Sequence, residues 1–141
     1  MKLSARNMLA GTVTRVAKGA VNAEVDLTLA GGEKIAAIIT NDSVADLGLA
    51  EGKKAFAIIK SNWVILGKEL HGAKLSTRNI LCGTVARVAE GAVNSEIELK
   101  LPGGTLLTAI ITNESCSSLG FRPGEHACAA FKASSVIIGT D

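Results

Sequence analysis

Aromatic side chains are nearly absent: Phe56, Trp63, Phe121 and Phe131 are all there are, and Tyr is missing altogether. A chain this poor in stacking surfaces does not suit single-stranded nucleic acid, whose bases stack on aromatic rings in basic grooves. Charge of one sign is also lacking. The net charge is +2 with both signs scattered, too weak a field to argue for a polyanion partner. No apolar run approaches the roughly 18 to 20 residues a membrane helix needs, and the segment Met1-Lys2-Leu3-Ser4-Ala5-Arg6-Asn7 has no apolar signal core. The expectation is a soluble, cytoplasmic protein. The three cysteines, Cys82, Cys116 and Cys128, match no zinc or thioredoxin spacing and are odd in number, so buried free thiols are expected.

Catalytic patterns are missing as well. There is no Gly-x-Ser-x-Gly and no His-Glu-x-x-His, and Gly48-Leu49-Ala50-Glu51-Gly52-Lys53 is one residue short of a P-loop and lacks its Ser/Thr. The two histidines, His71 and His126, are read as surface residues. No enzyme and no catalytic cofactor is expected.

What is present is a repeat. Laid on itself with a shift of 72, the sequence aligns without a gap: 36 of 69 positions agree between 1–69 and 73–141. These are two copies of one module joined by Leu70-His71-Gly72. A module of this size is marginal alone, so the copies are expected to pack on each other or on other subunits. In copy one, β-branched and alternating residues predict strands over 9–17, 23–29, 34–40, 53–60 and 63–66, with a Gly31-Gly32 hairpin turn. A short capped helix over 41–48 ends at a glycine. The fold class is all-β with one short helix per module: two tandem OB-like, five-stranded, partly open barrels.

The polar residues shared between copies sit at element ends, where binding groups collect. They are Ser4, Arg6, Asn7, Asn22, Thr40, Asn41, Ser43 and Lys60, matching Ser76, Arg78, Asn79, Asn94, Thr112, Asn113, Ser115 and Lys132. Arg offers a fixed fork to an oxyanion and Lys a point charge. Thr40 and Ser43 flank a helix start that favours anions. Shared acids such as Glu24 and Glu96 fall within strands and read as solvated faces. A donor set without carboxylates favours fully ionised oxyanions over phosphate, which carries a proton near neutrality. From residue types alone, anion binding and purely structural caps and turns both stay open.

Ser4-Ala5-Arg6-Asn7, Gly11-Thr12-Val13, Gly19-Ala20-Val21-Asn22 and Lys60 before Ser61-Asn62-Trp63-Val64-Ile65-Leu66 resemble the Mop module of the Mop/TOBE family. Copy two has the same signature, ending Lys132-Ala133-Ser134-Ser135-Val136-Ile137-Ile138. The whole chain is similar to tandem (di-Mop) molbindins, cytoplasmic molybdate-storage proteins. The resemblance implies binding of molybdate, and of tungstate, as an intact oxyanion, with no side chain ligating the metal directly. It implies homotrimers with two kinds of site. One joins Ser4, Ala5, Arg6 and Asn7 of one module to Thr40, Ser43, Lys60 and Ser61 or their counterparts of another; copy two supplies Ser76, Thr77, Arg78, Asn79, Thr112, Ser115, Lys132 and Ala133. The other lies near a three-fold axis, on Gly19, Ala20, Val21 and Asn22 and on Gly91, Ala92, Val93 and Asn94. No helix-turn-helix and no P-loop is visible, which leaves storage as the expected role. The alternatives are an OB-type nucleic-acid module or an accessory factor of the molybdenum cofactor. Two departures, Ala133 for Ser61 and Thr77 for Ala5, suggest that the copies differ in affinity.

Overall fold

Alternation of apolar and polar residues fixes which face of each strand turns inward. In a computed structural model describing all of residues 1–141, Ala23, Val25, Leu27 and Leu29 are buried while Glu24, Asp26 and Thr28 between them are not. Copy one forms β1 (Asn7–Lys18), β2 (Asn22–Leu29), β3 (Lys34–Thr40), α1 (Asn41–Leu47), β4 (Lys54–Ile59) and β5 (Ile65–Gly67). Copy two repeats this as β6 (Asn79–Glu90), β7 (Asn94–Lys100), β8 (Leu106–Thr112), α2 (Asn113–Leu119), β9 (His126–Phe131) and β10 (Ile137–Gly139). The expected mostly-β class, with two five-stranded sheets and one short helix per copy, is what the chain adopts.

The fifth strand differs from the sequence reading in two ways. The stretch expected as a strand over 63–66 begins inside a single 3₁₀ turn, Ser61–Trp63, and the strand follows at Ile65–Gly67. The strand also leaves its own copy. The sheet orders are β10-β4-β1-β2-β3 and β5-β9-β6-β7-β8, all antiparallel. Each sheet is therefore completed by the short last strand of the other copy.

One continuous cluster of 28 buried residues draws on both copies, as expected for modules too small to bury enough surface singly. Hairpin tips meet across it. A Cβ on Gly31 would lie 2.5 Å from the Gly103 Cα, and one on Gly103 2.3 Å from the Gly31 Cα, so only glycine permits that approach. The helices end on Gly48 (φ 62°) and Gly120 (φ 66°), a left-handed position that an L side chain adopts at a cost.

Candidate functional site

Antiparallel register brings the residues before β1 beside those after β4. Asn7 pairs with Ile59 and Asn79 with Phe131, so Arg6 and Lys60, and likewise Arg78 and Lys132, stand at neighbouring strand ends. The same ends are then tied to the other copy. Asn7, almost wholly buried, acts like a strand residue: its Nδ2 donates to the Thr108 carbonyl and its Oδ1 accepts from the Thr108 N–H, both at 2.8 Å. Asn79 makes the identical pair with Ala36, also at 2.8 Å. Both amides thus clamp copy to copy, a role the sequence did not disclose.

Beyond the clamps, Arg6 forms an ion pair with Glu96, and Arg78 with Glu24. Glu24 also meets Arg15 at 3.3 Å, and Glu96 meets Arg87 at 4.0 Å. The two glutamates are about one-fifth exposed, so their reading as solvated faces needs correction: each lies at the seam between two guanidinium groups. The donor set is accordingly not free of carboxylates, but each carboxylate is held by arginines of both copies.

The 3₁₀ turn Ser61–Trp63 packs on β8, and its counterpart Ala133–Ser135 packs on β3. A groove of about 350 Å³ results, lined by Asn62, Val64 and Leu66 from copy one and by Asn94, Thr112 and Ser115 from copy two. Thr112 caps α2. Its Oγ1 accepts from the Ser115 N–H at 3.1 Å and donates to the Ser115 Oγ at 2.9 Å. Thr40 and Ser43 repeat this at α1, at 3.0 and 2.9 Å. The structure thus lays the Ser61–Trp63 turn of copy one on β8, which leads to Thr112 and Ser115, while Arg6 reaches Glu96 on β7 and Lys60 lies over Trp63. Ser4 and Ser76 lie exposed on the segments leading into these seams.

The two seams are not equal. Lys60 Nζ lies 5.5 Å from the centre of the Trp63 ring, a cation–π contact that orients the ammonium group. At the position matching Trp63, copy two has Ser135, and at that matching Ser61 it has Ala133. Thr77, where copy one has Ala5, donates to the Phe131 carbonyl and so ties its segment to the end of β9.

The turns Gly19–Asn22 and Gly91–Asn94 form a separate group. Each closes on a bond from the glycine N–H to the asparagine carbonyl, 2.7 and 2.8 Å. Asn41 Nδ2 donates to the Gly19 carbonyl and Asn113 Nδ2 to Gly91, both at 2.9 Å. Asn41 and Asn113 thereby fasten each turn to a helix start, a role sequence reasoning missed. The N–H groups of Ala20, Val21, Ala92 and Val93 have no acceptor in the protein, and Val21 and Val93 are each 71% exposed. These turns present backbone donors on an apolar, uncovered tip.

The expectation of free thiols fails for two of the three cysteines, and the two histidines, exposed as expected, are paired. Cys82 and Cys128 are joined in a disulfide, and Cys116 alone is free. They face each other directly across β6 and β9, a pairing that residue spacing could not reveal because it depends on strand register. His71 and His126 are not solitary: their rings stack, with Nε2 atoms 2.8 Å apart.

The TOBE domain family matches residues 3–66 and again residues 75–138. The chain is 48% identical over 138 residues to the molybdenum transport protein ModE of Azotobacter vinelandii, covering 98% of this chain and 51% of that protein. It is 46% identical to the molybdenum-pterin-binding protein MopA of Rhodobacter capsulatus, covering 98% and 52%. It is 35% identical to the DNA-binding transcriptional dual regulator ModE of Escherichia coli (strain K12), covering 99% and 53%. The chain therefore spans about half the length of these relatives. Among solved structures, the molybdate-bound form of the cytoplasmic molybdate-binding protein ModG superposes with a TM-score of 0.96 at 50% identity, covering all of both chains. No helix is long and apolar enough to cross a membrane.

Proposed function

This chain belongs to the TOBE domain family through both of its copies, and on that premise we propose that it binds molybdate as an intact oxyanion at the seams between modules. The observation that supports the reading is the duplicated seam: Arg6 and Lys60 of one copy stand at neighbouring strand ends, and the turn after Lys60 packs on the strand of the other copy that leads to a hydroxyl-capped helix start. Such groups give charge-assisted hydrogen bonds to a tetrahedral dianion without touching the metal. The likeness to a protein solved with molybdate bound supports molybdate in particular, and tungstate, of the same charge and nearly the same size, is expected to compete.

Arg6 and Lys60 supply the charge in the first seam, with Ser61, Thr112 and Ser115 as donors. Arg78 and Lys132 supply it in the second, with Thr40 and Ser43. Glu24 and Glu96 hold the arginine forks in place. The exposed turns Gly19–Asn22 and Gly91–Asn94 serve a second class of site through backbone N–H groups, formed when tandem chains associate as a homotrimer around these apolar tips. The role is intracellular molybdate storage or buffering, a binding function without turnover.

Equilibrium dialysis of the purified chain against molybdate, tungstate, sulfate and phosphate tests the reading. Saturable molybdate binding displaced by tungstate is the expected result; absence of saturable molybdate binding would refute it. Mass in solution tests the trimer separately.

A further inference from the structure

A second cluster of chemistry lies away from the seams. Cys82, Cys128, His126 and His71 place their ligand atoms within 4.8 Å of one another. They come from three pieces of chain: β6, β9 and the joint that follows β5. On β9, His126 and Cys128 are two residues apart and so share a face. That face lies outside the core cluster, which takes Ala127 and Ala129 and not Cys128; on it His126 is exposed and Cys128 is fully covered. Cys82 opposes Cys128 directly. Gly67 of β5 pairs with Cys128 on its other side, and four residues later the chain brings His71 over the pair.

None of these residues belongs to the duplicated machinery. Copy one has Ala10, Lys54 and Phe56 at the positions of Cys82, His126 and Cys128, and the joint has no counterpart. Copy one thus shows that the barrel folds without them.

We propose that these four residues form a thiol-gated site for one zinc-class ion, available when the Cys82–Cys128 bond is reduced and closed when it forms. Two thiolates and two imidazoles are the donor set of tetrahedral Cys2His2 sites, whose bond lengths of about 2.0–2.3 Å set ligand–ligand edges of roughly 3.3–3.8 Å. His126 Nε2 lies 3.8 Å from Cys128 Sγ and 2.8 Å from His71 Nε2, so small ring movements bring the nitrogens to that spacing. Opening the site consumes two equivalents of a thiol reductant. Two electrons pass to the disulfide, the Sγ–Sγ bond breaks, each sulfur gains a proton, and the reductant leaves as its own disulfide. Binding of the divalent ion then releases both thiol protons to solvent, leaving two thiolates that neutralise the ion's charge.

Anaerobic titration of the full chain with Co²⁺, after reduction by a dithiol and removal of that reductant, tests the site. One equivalent is expected to produce a thiolate-to-metal charge-transfer band and tetrahedral d–d bands, both displaced by Zn²⁺. The oxidised chain and the variant C82A, which installs copy one's residue, are expected to show neither. H71A/H126A keeps both thiols and is expected to lose the tetrahedral d–d bands. Absence of the bands from the reduced chain, or unchanged bands in H71A/H126A, would overturn the proposal. Molybdate dialysis of C82A is expected to match the parent chain, so failure of the metal site and failure of the oxyanion reading give separate results.

Discussion

A buried amide with no partner is among the more expensive defects a strand end can carry. Asn7 and Asn79 each satisfy one N–H and one carbonyl of the opposite copy. Asn79→Ala should therefore lower stability by about 1–3 kcal/mol, because a backbone pair loses its partner in a dry seam. Urea unfolding with an unchanged slope is the check. The cations obey a different rule. Arg6→Ala and Lys60→Ala should each weaken molybdate binding by about 1.5–3 kcal/mol, the range for hydrogen bonds to charged groups, as read by calorimetry. Trp63→Ser, which makes the first seam like the second, should weaken it by only about 0.5–1 kcal/mol, the worth of an exposed cation–π contact. The sequence was informative at this scale about residue types and less so about duties. Repetition singled out Ser4, Arg6, Asn7 and Lys60 because both copies retain them. It could not separate Asn7, whose amide clamps β8, from Arg6 beside it, since both are polar residues at a strand end.

At the scale of elements, local pattern and turn chemistry were good guides. The alternation over 23–29 became β2, and the Thr-Asn-x-Ser stretch became the start of α1 with Thr40 as its cap. Thr40→Ala removes an acceptor for the Ser43 N–H and should cost about 1 kcal/mol while also loosening a donor group of the second seam. The hairpin tips show what pattern misses. Gly31-Gly32 reads as a turn, yet Gly31 is required by contact with Gly103 of the other copy. Gly31→Ala should destabilise by about 1–3 kcal/mol through forced separation of the tips, measurable by thermal unfolding. Contacts of this kind join residues 72 positions apart and leave no trace in local periodicity. The Cys82–Cys128 bond escaped notice for the same reason: only the register of β6 on β9 makes the two residues neighbours.

For the whole molecule, the exchange of β5 and β10 turns two marginal modules into one cooperative body with a shared core. The repeat announced two copies and their need for support, but not that each lends the other its last strand. β5 is only three residues long and carries no mark of which edge it joins. Residues 1–69 alone would leave the β4 edge open and β5 without β9. Two such fragments should therefore exchange β5 strands and run as a dimer in analytical ultracentrifugation; a stable monomer would contradict the dependence of one copy on the other. The same exchange creates the seams, because it is the crossing that lays the Ser61–Trp63 turn on β8. Fold and proposed function thus share one cause.

Calorimetric titration of the purified full chain with molybdate, repeated in excess sulfate and in excess phosphate, tests that claim most directly. The account predicts saturable binding that survives both competitors and is weakened in Arg6→Ala and Arg78→Ala, the paired residues of the two seams. Failure to saturate, or wild-type affinity in both variants, would contradict it.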